Sequence, residues 1–325
     1  MSGFVTQAEF EQAQRVVYQN LNPTLQHVWP VLVNEMGCEL WLKHENHTPL
    51  GAFKMRGGLV YMHSRVQSGH TNGVITASTG NHGQSIPYAA ARHDIASVVV
   101  VPTNNAQDKN AAMRALGTEL IEVGHDFDAA KAKAEDLAKA RDLHMVPSFH
   151  RALVQGVSTY AHELFSEAGA LDAVYVPIGL GSGICGVMAA RDLLGLKTQV
   201  IGVVSERANA YRLSLEAGKP VSTNAANSFA EGIAVRTPHP EALETIRQGA
   251  ERVIEVSDDL IAEAMRVLFR ATHNVAEGAG AAALAGLMSE RDKMTNKRIG
   301  VILCGGNIDA DKFAYVLGGQ TPMPG

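Results

Sequence analysis

Unbroken apolar runs recur along this chain, and between them the apolar positions fall three and four residues apart. SVVVV at 97–101 and VILC at 301–304 show no alternation with polar residues, the pattern of strands covered on both faces in a parallel sheet. Strands are predicted at 39–43, 73–77, 97–101, 119–123, 173–177, 199–204 and 298–303. Helices are predicted at 83–92, 106–116, 127–141, 156–167, 183–194 and 258–272. Such strand–helix alternation implies an open α/β sheet, or two of them. No low-complexity linker or internal repeat divides the chain.

Composition narrows the class without changing that picture. The 325 residues are 46% hydrophobic and 19% charged, as in an ordinary globular enzyme. The net charge of −5, with Lys and Arg scattered, speaks against a nucleic-acid or anionic-membrane surface. No apolar run reaches the roughly 18 residues that span a bilayer. The opening MSGFVTQAEFEQAQ lacks a basic segment followed by an apolar one, so a secretory leader is not expected and the protein reads as cytoplasmic. Cys38, Cys185 and Cys304 lie far apart with no C-x-x-C spacing, which argues against a disulfide framework or a thiolate zinc site.

The chemistry concentrates where strands hand over to helices, the place where open α/β sheets bind ligands. STGNHGQ follows VITA, IGLGSGICG follows AVYVP, and GGNID follows VILC. In 179-GLGSGICG-186, alternate glycines lead into a predicted helix and would offer backbone N–H groups and a positive dipole end to a phosphate. A tight turn needs only one glycine, and neither the Walker pattern nor G-x-G-x-x-G is present. In 78-STGNHGQ-84, Ser78 could simply cap a helix, yet Thr79, Asn81 and His82 beside it supply further donors for a carboxylate or a ring oxygen. Lys54, in 51-GAFKMRGG-58, could be a plain surface lysine. His44, His47, His144 and His150 form no recognisable metal-ligand spacing, and no G-x-S-x-G elbow follows a strand.

Together these pieces resemble the fold-type II pyridoxal-phosphate enzymes, in particular the serine/threonine dehydratase and serine racemase group. The matching segments are KHENHTPLGAFKMRGG (43–58), STGNHGQ (78–84), GLGSGICG (179–186), FAEGIAV (229–235), NVAEGAGAAALA (274–285) and CGGNID (304–309), in the family's order. The resemblance implies two open twisted α/β domains of the tryptophan synthase β type: a large one from 1–68 with 150–325, and a small mobile one from 69–149. It implies pyridoxal 5'-phosphate as cofactor, an amino acid as substrate, and a homodimer.

It also implies roles. Lys54 would form the imine with the cofactor aldehyde and take the Cα proton, its pKa lowered by partial burial and by the nearby Arg56. Phe53 would pack beside the ring, with the Gly57–Gly58 pair giving it room. Asn81 would bond the ring hydroxyl, while Ser78, Thr79, Asn81 and His82 would line the substrate-carboxylate pocket. Gly179, Gly181, Ser182 and Gly183, with Leu180 between them, would hold the phosphate, and Cys304 would face the pyridine nitrogen. A neutral thiol there makes the ring a weaker electron sink, which suits prompt loss of a β-hydroxyl. The implied reaction is dehydration of a 3-hydroxy L-amino acid such as threonine, serine, 3-hydroxyaspartate or phenylserine. The alternatives are a racemase or a β-replacement enzyme of the same fold, and a non-catalytic binding protein.

The sequence departs from the family pattern in several places. Leu180 and Ser182 interrupt a run that is usually four glycines. Thr79 stands where racemases carry serine and dedicated dehydratases often carry alanine, and Glu231 replaces the usual aspartate. Val204 and Ala210 occupy positions where some relatives bind a divalent cation, and Glu206 alone makes a poor cage, so no functional metal is expected there. No regulatory module follows residue 325, so feedback control of the biosynthetic type is not expected. His150 and Arg151 fall in a stretch that is more acidic or amide-rich in relatives. One of them is expected to favour an acidic β-substituent, unless both are solvated loop residues.

Overall fold

All-apolar segments become the inner strands of two separate sheets. The structure is a computed structural model and describes residues 4–324. In chain order its main elements begin α1 (Gln7–Tyr18), β1 (Gln26–Val28), α2 (Pro30–Met36), β2 (Glu39–His44), α3 (Lys54–Gln67), β3 (Val74–Ala77), α4 (Asn81–Ala91) and β4 (Ser97–Val101). They continue with α5 (Gln107–Ala115), β5 (Glu119–Glu122), α6 (Phe127–Ala140), β6 (His144–Met145), α7 (Arg151–Ala168), β7 (Ala173–Pro177), α8 (Ser182–Leu193) and β8 (Gln199–Ser205). Helices Ala210–Ala217 and Pro240–Gly249 lead to β9 (Arg252–Val256), and helices Asp258–Thr272 and Gly278–Ser289 lead to β10 (Arg298–Leu303). A last helix runs over Ala310–Leu317.

One sheet has six strands in the order β1-β2-β10-β7-β8-β9, parallel except for the β1–β2 pair. The other has four parallel strands in the order β5-β4-β3-β6. The last strand of the chain, β10, lies between β2 and β7 with Ile299 level with both Leu40 and Ala173. That insertion sets the loops after β2, β7 and β10 side by side at the carboxyl end of the sheet, where the strand order reverses. Helices cover the sheets, and the main core joins Leu40, Val174, Val203, Ile302 and the alanine face of the helix Gly278–Ser289.

The predicted elements are found within a few residues, with one larger difference. Helix α7 begins at Arg151, five residues before the predicted start, because the Ala152 N–H donates to His150 Nδ1 at 3.1 Å and caps the helix there. Gly156 is thus interior to the helix, and it is needed: a Cβ there would lie 2.2 Å from the Arg56 carbonyl oxygen of α3. Strands β1, β6 and β9 were not predicted. The first two have only three and two residues, and β9 is a half-exposed edge strand.

Candidate active site

Lys54 opens α3 directly after the loop that leaves β2, and it is half-buried. Two contacts fix Phe53 before it. The Phe53 N–H donates to the Cys304 carbonyl at 3.0 Å, and the Lys54 ammonium stands 5.1 Å from the Phe53 ring centre. A methyl group on Gly183 would come 3.8 Å from the tip of the Phe53 ring. Segments carrying Lys54, Gly183 and Cys304, distant in the chain, therefore meet around Phe53.

Burial pushes the Lys54 pKa down, opposed by the neighbouring Cys304 and Glu277. Arg56 does not contribute, contrary to the expectation from sequence. Its side chain is 0% exposed and points into the core, where its Nε and Nη2 bond Glu45 and its Nη1 and Nη2 bond Glu163 at 2.6–3.0 Å. Lys43 meets the same Glu163 at 2.6 Å. The guanidinium charge is spent inside this cluster. The Gly57–Gly58 pair also serves packing and not a ring: a Cβ on Gly57 would meet the Leu153 carbonyl at 2.9 Å, and one on Gly58 the Ser85 carbonyl at 2.8 Å. These glycines let α3 pack against α7 and α4.

The glycine loop runs from β7 into α8. Gly181 has φ +104°, and a Cβ there would meet Ala242 at 2.7 Å, so only glycine fits. A Cβ on Gly179 would lie 2.4 Å from the Gly232 carbonyl. Gly183 differs, since nothing comes nearer than 3.8 Å to a Cβ built on it. Leu180 is held by its carbonyl, which accepts from Tyr211 Oη at 2.8 Å. No side chain caps the N-terminus of α8, so the first-turn N–H groups of Ser182 and Gly183 face the cleft with the helix dipole behind them.

The other wall is the loop from β3 into α4. Ser78 Oγ accepts from the N–H groups of Gly80 at 3.3 Å and Gly83 at 3.0 Å, leaving its own proton to donate. Thr79 is half-buried in the same loop. His82 is buried, and its Nε2 has no partner. Burial and the charge of Lys54 bring its pKa down to about 3, which keeps the imidazole neutral. Asn81 Nδ2 donates to Glu277 Oε1 at 2.6 Å, and Asn81 Oδ1 accepts from Asn307 Nδ2 at 2.8 Å. The Cys304 thiol is buried and donates to the Ala279 carbonyl at 3.5 Å; burial and Glu277 raise its pKa, so it stays a thiol.

Three residues that sequence reasoning did not single out complete the cleft. Glu277 and Asn307 hold Asn81, and both lie in quoted segments whose glycines drew the attention. Lys109, on α5 and 8% exposed, donates to Glu231 Oε2 at 2.8 Å and lies 4.0 Å from Glu277 Oε2. Glu231 also accepts from Lys312 at 3.1 Å; burial raises its carboxyl, but the two lysines outweigh this and hold it below the usual range. Arg151 stands apart from this group. It forms an ion pair with Glu9 at 2.8 Å on α1, and His150 caps α7, so neither is placed to read a β-substituent. An open groove of about 720 Å³ along β9 is lined by none of the predicted site residues. Among the described residues, no group of three or more His, Cys, Asp or Glu side chains is arranged to hold a metal ion, and no helix is long and apolar enough to cross a membrane.

The chain is 33% identical over 321 residues to the biosynthetic L-threonine dehydratase of Escherichia coli, covering 97% of this chain and 62% of that one. It is 28% identical to the L-threo-3-hydroxyaspartate ammonia-lyase of Saccharomyces cerevisiae, covering 94% of each. The processed form of threonine deaminase isoform 2 from Solanum lycopersicum superposes with a TM-score of 0.89 at 28% identity, over 98% of this chain and 95% of that one. The chain spans about three fifths of the length of the curated threonine dehydratases it matches. The family described as pyridoxal-phosphate dependent enzyme matches residues 19–305. By that match, the protein belongs to the pyridoxal-phosphate dependent enzyme family.

Proposed function

We propose that the protein is an ammonia-lyase that removes water from a 3-hydroxy L-amino acid and yields a 2-oxo acid and ammonia. The observation that carries this reading is the meeting, around one cleft, of a half-buried amine with lowered pKa (Lys54), an uncapped helix N-terminus (α8), a neutral buried thiol (Cys304) and an unpartnered neutral imidazole (His82). These groups fit the cofactor. Lys54 offers the amine for its aldehyde, the N–H groups of Ser182 and Gly183 suit its phosphate, and Cys304 suits an unprotonated ring nitrogen. When bound, pyridoxal phosphate supplies the carbonyl that condenses with the substrate amine and the ring that draws electrons from Cα.

The chain's own residues supply the rest. Lys54 Nζ, easily neutral because burial disfavours its charge, takes the Cα proton. The Ser78 hydroxyl and the unpartnered His82 Nε2, with Thr79 beside them, hold the substrate carboxylate, while the remaining N–H of Asn81 is left for the cofactor's ring oxygen. The β-hydroxyl leaves with a proton as water. Hydrolysis of the released enamine, after it becomes an imine, consumes one water, so the overall change is amino acid to 2-oxo acid and ammonium. Residues 69–149 would act as a small domain whose approach excludes water from the cleft. By the same family resemblance the working form is a cytoplasmic homodimer, which a mass measurement in solution checks.

L-threonine, L-serine, the 3-hydroxyaspartates and phenylserine, each assayed for 2-oxo acid, test the reading. At least one should be turned over by the wild-type protein and none by Lys54→Ala; a panel with no 2-oxo acid at all sinks it. Racemisation is a second reading, favoured by the Thr79 hydroxyl in the cleft loop, and recovery of the amino acid with inverted configuration would reveal it.

A further inference from the structure

Glu277 is buried, in the loop before the helix Gly278–Ser289, and it faces two side chains on α4 and α5, the helices that follow β3 and β4 of the four-stranded sheet. One is Asn81, whose Nδ2 donates to Glu277 Oε1 at 2.6 Å. The other is Lys109, whose ammonium is 4.0 Å from Glu277 Oε2 while it pairs with Glu231 at 2.8 Å. Gly305 closes against the same carboxylate: a Cβ there would lie 2.4 Å from Glu277 Oε1 and 3.3 Å from Asn81 Nδ2. Only a glycine at 305 leaves space for that carboxylate.

The hydrogen bonds around Asn81 leave only one orientation of its amide. The Leu50 carbonyl can only accept, so the atom of Asn307 that bonds it at 2.7 Å is the nitrogen. That same nitrogen meets Asn81 at 2.8 Å, so the atom it meets is the Asn81 oxygen. The Asn81 nitrogen therefore faces Glu277, which uses one of its two N–H groups and leaves the other for a ligand.

We propose that Glu277 is the positioning residue of this site: it fixes the Asn81 amide so that its remaining N–H is presented to the cofactor's ring oxygen. Through Lys109 the same carboxylate also ties α5 to the opposite wall. The inference rests on the reading above, in which Asn81 faces that ring oxygen.

The test is titration of the apoprotein with pyridoxal phosphate, following the near-visible absorption band. Glu277→Leu should weaken cofactor binding by roughly tenfold and change the band, the scale of a lost hydrogen bond to a charged group. Glu277→Gln, whose oxygen still accepts from Asn81, should recover both to within about threefold. Because Glu277 acts through Asn81, the double variant Glu277→Leu/Asn81→Ala should bind no more than about twofold less tightly than Asn81→Ala alone. Wild-type affinity and band in Glu277→Leu, a Gln variant as weak as the Leu one, or a double variant showing the full product of both losses would each overturn the inference. If circular dichroism shows Glu277→Leu unfolded, Glu277→Asp, which withdraws the carboxylate by one methylene, is held to the same criteria. Wild-type protein that takes up no cofactor would instead mean the parent reading has failed.

Discussion

Phe53 donates its backbone N–H to the carbonyl of Cys304 at 3.0 Å, and this bond pins the residue before Lys54 to the residue that directly follows β10. Because the bond is made by backbone atoms, the position of Lys54 does not depend on the Cys304 side chain. The thiol can be exchanged and its chemistry read separately.

Cys304→Ser should keep the fold and hold 2-oxo acid formation within roughly threefold of wild type, since a hydroxyl is also a neutral donor. Cys304→Asp should lose at least about tenfold, because a second carboxyl beside the buried Glu277 disfavours both charges and alters the partner of the ring nitrogen. Steady-state rates with the bound-cofactor spectrum check both. Equal rates for the Ser and Asp variants would show that Cys304 does not face the ring.

The glycines divide by what surrounds them. Gly156→Ala adds a Cβ 2.2 Å from the Arg56 carbonyl, a backbone atom that cannot swing aside. A helical Gly→Ala change gains about 1 kcal/mol in propensity. Overpacking costs about 1–3 kcal/mol, so a net loss of stability is expected, read as a lower urea midpoint. Gly183→Ala meets nothing closer than 3.8 Å, so its midpoint should not fall, but its methyl enters the first turn of α8 and should weaken pyridoxal phosphate binding. Isothermal titration separates the two effects, and a destabilised Gly183→Ala with unchanged cofactor affinity would refute the assignment.

The same residues show what was legible beforehand. Apolar runs marked the inner strands because burial on both faces leaves no alternation to misread, and the short edge strands β1 and β6 carry no such signal. Lys54, Asn81, His82, Gly183 and Cys304 were legible as members of motifs. Glu277, Lys109 and Asn307 belong to the site only through pairings between distant segments, and one sequence does not display those. Arg56 and the Gly57–Gly58 pair were misread for the same reason. Sequence proximity to Lys54 suggested shared chemistry, whereas the helix turns them toward Glu163, α7 and α4.

Arg56→Met should destabilise the protein strongly without touching the cleft. The substitution leaves Glu45 and Glu163, both buried, with Lys43 as the one remaining cation of the cluster. Breaking one side of a buried ion pair costs about 3–5 kcal/mol. Urea denaturation measures this, and a loss below about 1 kcal/mol, the scale of an exposed pair, would contradict the buried cluster.

Arg151→Ala should leave the substrate profile unchanged. Its partner Glu9 lies on α1, both side chains are partly exposed, and such a pair contributes at most about 1 kcal/mol. The measurement is the ratio of kcat/KM for 3-hydroxyaspartate to that for threonine in the variant and in wild type. A selective loss on the acidic substrate would restore Arg151 as a specificity residue.

Two buried histidines set a pH limit on stability. Burial, with the charge of Lys54, lowers the His82 pKa from 6.5 to about 3; burial, with His47 and His27 nearby, does the same for His44. In the unfolded chain both regain ordinary values, so between about pH 6.5 and 3 the unfolded state binds more protons than the folded one. Stability therefore rises with pH across that window, and their contribution is complete above 6.5 and lost progressively as the pH falls toward 3. Each histidine adds at most about 1.4 kcal/mol per pH unit to the slope. His82→Gln should flatten the slope between pH 4 and 6 by up to about that amount. Urea midpoints recorded across this range give the measurement. An unchanged slope would mean that His82 is protonated in the folded protein, and a charged imidazole would then stand beside Lys54.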